Sequence, residues 1–70
     1  MMTSWTLYEG PTNHDKRWVV RLFRDELPTN IYFEADTRKE CEDHVFHQYP
    51  DGHWIPRLPA DDPCIVGVWI

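Results

Sequence analysis

Seventy residues make one domain, and a chain this short buries only about 60% of its unfolded surface, so its ten aromatics, four of them Trp, matter to its core. The net charge of −5 argues against sequence-independent binding of DNA or RNA. No run approaches the ~20 apolar residues of a membrane span, and the opening MMTSWTLYEG has neither a basic n-region nor an apolar h-region, so the expectation is a cytoplasmic protein with reduced Cys41 and Cys64.

Residues 4–8 alternate and predict a first strand, with Trp5 and Leu7 on one face and Thr6 and Tyr8 on the other. Gly10-Pro11-Thr12-Asn13-His14-Asp15 is a turn-forming run. Residues 18–24, WVVRLFR, predict the second strand. Trp18, Val20 and Leu22 form its all-apolar face and are assigned to the covered side. Val19, Arg21 and Phe23 form the other. A polar connection, Asp25 to Asn30, leads to a third strand at 31–34, where Ile31 and Phe33 are expected inside and Tyr32 and Glu34 outside. Short links imply an antiparallel meander of these three.

The strongest local signal follows. Thr37 and Glu40 form a capping box, so a helix is predicted over residues 37–49. Acidic residues near its start suit the helix dipole. Pro50 stops it, and Asp51-Gly52 turns the chain. Cys41, Val45 and Tyr49 make a narrow apolar stripe, with Phe46 about 100° away from it. Glu40, Asp43 and His47 project toward water. A helix of about a dozen residues is marginal alone and needs a sheet beneath it.

Residues 50–63 carry four prolines and read as an irregular loop, a kind that is often functional. Residues 64–70, CIVGVWI, form a last strand apolar enough to be covered on both faces or by a partner. The expected fold is α+β: a three- to four-stranded antiparallel sheet in the order β-β-β-α-β, with one helix packed on one face. Its other face would hold Thr6, Tyr8, Val19, Arg21, Phe23, Tyr32, Ile65 and Trp69. Such an aromatic patch usually marks an interface.

Chemistry-bearing groups are sparse. Cys41, His44 and His47 on the helix, with His53 and Cys64 later, offer zinc-type ligands, but no Cys-x2-Cys or His-x3-His pair accompanies them. A buried free thiol and exposed histidines are the expected reading. Nucleophilic catalysis would need Cys64 with His53 or Cys41 with His44, and burial makes a thiol inert. No phosphate loop or nucleophile elbow is present. Glu42-Asp43 and Asp61-Asp62 read as solvated charge. Trp18, Arg21, Phe23, Arg24 and Tyr32 give a faint echo of an RNA-binding sheet, which the acidity opposes. No enzyme activity, cofactor or metal is expected.

Protein binding remains, with three candidate surfaces. The first is the acidic helix face, Asp36, Glu40, Glu42, Asp43, His47 and Asp51. Residues 25–51 hold eight acids against Arg38 and Lys39, whereas residues 1–24 set four bases against Glu9 and Asp15. An acidic face attracts a Lys/Arg-lined groove at long range. The second is the proline-stiffened loop with His53, Trp54 and Arg57, rich in hot-spot residue types. The third is the sheet face with Phe23, Tyr32 and Trp69. In length, acidity and aromatic content the chain resembles small phage- or mobile-element-encoded inhibitors, anti-CRISPR proteins among them. The resemblance implies a small acidic protein-binding module that blocks a larger cytoplasmic protein, such as one with a basic nucleic-acid groove. Two alternatives stay open: a homodimer formed through the aromatic sheet face, and a small zinc-binding domain.

Overall fold

The structure, a computed structural model, describes residues 2–10, 15–57 and 63–70. The run at 11–14 within the first turn, and Leu58 and Asp61-Asp62 in the proline-rich stretch, lie outside the described residues. The elements in chain order are β1 (Thr3–Glu9), β2 (Trp18–Arg24), β3 (Leu27–Ala35), α1 (Arg38–Gln48), β4 (Trp54–Pro56) and β5 (Ile65–Trp69). They form one antiparallel sheet in the order β3-β2-β1-β5-β4, with α1 packed over β2 and β3. The fold is α+β as expected, with five strands among the described residues where three or four were predicted.

The expected meander of β1, β2 and β3 is present, and its second hairpin is tighter than predicted. Asp25 and Glu26 alone make the turn, with φ of 51° and 68°. Positive φ at both central residues gives the hairpin twist that joins two strands directly. Asp25 is fastened to the start of β1: its N–H donates to the Met2 carbonyl at 2.8 Å, and its Oδ1 accepts from the Met2 N–H at 3.0 Å. Strand β3 therefore begins at Leu27. Its register with β2 shifts between Arg21 and Phe23, and Thr29 fills the irregularity. The Thr29 hydroxyl donates to the Leu22 carbonyl at 2.6 Å and accepts from the Ile31 N–H at 3.1 Å. Beside this irregularity Ile31, expected inside, is 50% exposed, whereas Phe33 packs on the core as predicted.

Thr37 caps α1, accepting from the Glu40 N–H at 3.3 Å, and Tyr49 closes it with an N–H bond to the Val45 carbonyl at 2.7 Å. The predicted stripe is the buried one. Cys41 and Val45 are buried and Tyr49 packs beside them, against Trp5, Leu7, Val20, Leu22 and Ala35. His44 departs from its expected exposure: its ring stacks on Phe33 at 4.3 Å and meets the edge of Trp5 at 5.6 Å.

The proline-rich stretch holds a strand. Trp54–Pro56 pairs with β5 at the sheet's outer edge, and His53 and Ile70 extend the ladder through two backbone bonds of 2.7 and 3.0 Å. Edge position is where a strand tolerates proline. β5 is therefore an inner strand between β1 and β4, which accounts for its apolarity.

A bulge in β5 overturns one facial assignment. Tyr8 pairs with Ile65 and Leu7 with Gly67, so Val66 is the extra residue. A one-residue insertion reverses the side to which every later side chain points. Ile65 keeps its predicted place on the open face beside Tyr8, but Trp69 pairs with buried Trp5 and lies on the helix side. The open face keeps Tyr8, Phe23 and Tyr32 without Trp69. Arg21 lies 5.6 Å from the Tyr32 ring centre, and Val19 is buried between its cross-strand neighbours Tyr8 and Glu34.

Candidate functional site

One helix does not cover five strands. With α1 over β2 and β3, the β5–β4 part of the same face is left as the floor of a groove. The groove encloses about 330 Å³ and is lined by Arg38, Glu42, Asp43, Val45 and Phe46 from α1, Tyr49, Pro50 and Gly52 from the following turn, and Trp54 and Trp69 from the sheet. That volume lies at the lower end of ligand-pocket sizes.

The floor is an indole pair. Trp54 and Trp69 are register partners with ring centres 4.6 Å apart, tilted by 54°. Their closeness depends on Gly67. A Cβ there would overlap Cη2 and Cζ2 of Trp54 and would stand 2.7 Å from the Ile55 carbonyl oxygen. Glycine inside a strand often marks such a close approach. A second tight fit shapes the groove's end, where a Cβ on Gly52 would stand 2.7 Å from the Tyr49 ring.

The walls carry charge. The Arg38 guanidinium carbon lies 5.3 Å from the centre of the Trp54 ring, and Arg38 Nε donates to Glu42 Oε2 at 2.8 Å. This is an i,i+4 pair on the helix surface, with both side chains about two-fifths exposed. Asp43 lines the groove with no basic partner among the described residues. Phe46 stands 66% exposed at the rim, its ring edge-on to His47.

The structure thus joins residues that the sequence had divided among three surfaces. Glu42 and Asp43 from the helix set, Trp54 from the loop set and Trp69 from the sheet set meet in this groove. The other members stand apart. Asp36 pairs with Lys16 at 3.1 Å. Glu40, His47 and Asp51 are exposed. His53 is engaged through its backbone. Arg57 borders another, smaller cavity of about 260 Å³ on the opposite face, with Thr6, Ile55, Ile65 and Val68. Phe23 and Tyr32 belong to the open face around β2 and β3. Sequence reasoning passed over Arg38, Phe46 and Tyr49 as groove residues. The usable signals were Arg38 and Glu42 at i,i+4 and a glycine inside an otherwise apolar strand.

Among the described residues, Cys41 and His44 depart from their ordinary pKa values. Burial pushes the Cys41 thiol up to about 11, with Glu40 and Glu42 adding to the effect, so it stays protonated at neutral pH. Burial, and then His47, lowers the His44 pKa from its ordinary value. No group of three His, Cys, Asp or Glu side chains is placed to hold a metal ion among the described residues. No helix among them is long and apolar enough to cross a membrane. The chain matches no protein-family model, and no curated protein or solved structure shows significant similarity to it.

Proposed function

We propose that this chain is a non-enzymatic protein-binding module that seats a segment of a larger protein in the α1–β4–β5 groove. The observation that carries the reading is the paired Trp54 and Trp69 floor, held in place by Gly67. Tryptophan dominates binding hot spots because a large, rigid ring gains contact area at small entropic cost. Phe46 and Tyr49 widen that apolar surface, and the acids of α1 favour a basic partner. Inhibition of a larger protein with a Lys/Arg-lined surface follows naturally from such a small acidic ligand.

Selection of peptides from a random displayed library tests the reading. The wild-type chain should enrich binders that a Trp54→Ala variant, confirmed as folded, does not retain. Binders that hold equally to both proteins, or no enrichment at all, would remove the groove from the argument.

Self-association is a second reading, and one observation favours it. β3 is a nine-residue edge strand with Leu27, Ile31 and Tyr32 exposed. An uncovered edge of this kind is a template for pairing with another chain. Light scattering over a concentration series tests it, with a constant monomer mass as the refuting result.

A further inference from the structure

We infer that the groove's preferred occupant is an arginine side chain of the partner protein, and that Arg38 holds that place in the free chain. The inference rests on the groove reading above and names the chemistry it selects.

Three features of the groove carry it. First, the aromatic floor already bears a guanidinium. Arg38 lies 5.3 Å from the Trp54 ring centre, within the range at which a cation is attracted to an indole face. Second, the same guanidinium is held by a carboxylate, Glu42, at 2.8 Å. Aromatic ring and carboxylate together form the two-part receptor that planar, delocalised cations fit best. Third, the wall carries more negative charge than Arg38 neutralises. Asp43 faces the same groove without a basic partner among the described residues. The chain's net charge of −5 adds long-range attraction for a cation and repels an anion.

Arg38 is easily displaced. Its side chain is 43% exposed and that of Glu42 is 41% exposed. Ion pairs this wet contribute little, so exchange of one guanidinium for another costs little. The incoming arginine takes up the Trp54 and Glu42 contacts and reaches Asp43 as well. The internal pair therefore acts as a competitor that lowers apparent affinity.

The probes are acetyl-Gly-Arg-Gly-amide and the same peptide with citrulline or norleucine at the centre. Citrulline keeps the shape and removes the charge. The Trp54 and Trp69 indole N–H resonances are followed to about 10 mM peptide, a range that captures weak binding. The arginine peptide should shift both resonances, more weakly at high salt, and citrulline should bind several-fold less well. Arg38→Gln should tighten arginine binding by about two- to five-fold, the range of one exposed cation–π contact. Glu42→Gln with Asp43→Asn should weaken it. Equal binding of citrulline, unchanged or weaker binding by Arg38→Gln, or no shift at all would overturn the inference. Norleucine binding as strongly as arginine would overturn it too while leaving the groove as a binding site. Failure of the library selection instead removes the groove reading itself.

Discussion

Gly67→Ala probes the groove most directly, because it adds one methyl group where Trp54 rests. The new Cβ would overlap two atoms of the indole and come within 2.7 Å of the Ile55 carbonyl oxygen. The ring must leave, and the backbone of β4 must give way. Loss of the Trp54–Trp69 contact is worth about 0.5–1.5 kcal/mol, and loss of the Arg38–Trp54 contact about 0.5–1 kcal/mol. The expected cost is therefore about 1–2.5 kcal/mol. For a domain of this size that lowers the midpoint of thermal unfolding by roughly 5–20 °C. The fold should survive, because the buried cluster of Trp5, Leu7, Val20, Leu22, Ala35, Cys41 and Val45 contains no residue of β4. Urea unfolding followed by circular dichroism measures the cost, and the exciton signal of a close indole pair should weaken in the folded variant. A double-mutant cycle assigns the cause. In a Trp54→Ala background Gly67→Ala should cost less, because the overlapping ring is gone and only the approach to the Ile55 carbonyl oxygen remains. An equal cost in both backgrounds, or one below about 0.5 kcal/mol in the wild type, would show that Gly67 does not seat Trp54.

Two further predictions concern the helix. Thr37→Ala should cost about 0.5–1 kcal/mol, the lower part of the capping range, since the bond to the Glu40 N–H is long at 3.3 Å. Thr37→Ser should restore most of the loss in the same thermal melts, and equal midpoints for all three proteins would rule out a contribution from the cap. His44 gives the pH dependence. Its folded pKa lies below its ordinary value, chiefly through burial, so the unfolded chain binds more protons in mild acid. Its contribution is therefore present above the unfolded pKa of about 6.5 and is lost as pH falls through the lowered folded value. The urea midpoint should drop between about pH 7 and about pH 5, and His44→Phe, which keeps a ring beside Phe33, should flatten that limb; equal slopes would contradict the assignment.

What the sequence disclosed was whatever short-range chemistry determines. Thr37, Pro50 and the Cys41–Val45–Tyr49 stripe place the helix because caps and period are local properties. The alternation in residues 4–8 and 18–24 placed β1 and β2 in the same way. Pairing at a distance was out of reach. β4 is a strand only because β5 lies beside it, and Trp-Ile-Pro among prolines carries no period of its own. The bulge at Val66 is fixed by how β5 meets Leu7 and Tyr8, and simple alternation sent Trp69 to the wrong side. Asp25-Glu26 reads as part of a longer link because positive φ usually announces itself with Asn or Gly.

The groove itself follows from dimensions once the strand count is known. Five strands spaced about 4.8 Å apart make a sheet roughly 20 Å wide, and a helix with its side chains is only about 10–12 Å across. A single helix therefore covers about half of one face. Among the described residues there is no second helix to lay over the rest. Large side chains must shield the uncovered backbone, and β5 and β4 place Trp69 and Trp54 there. The same economy that leaves the sheet half covered leaves two indoles facing an open channel. Their position beside the acidic edge of α1 is what the proposed selectivity for a cation rests on.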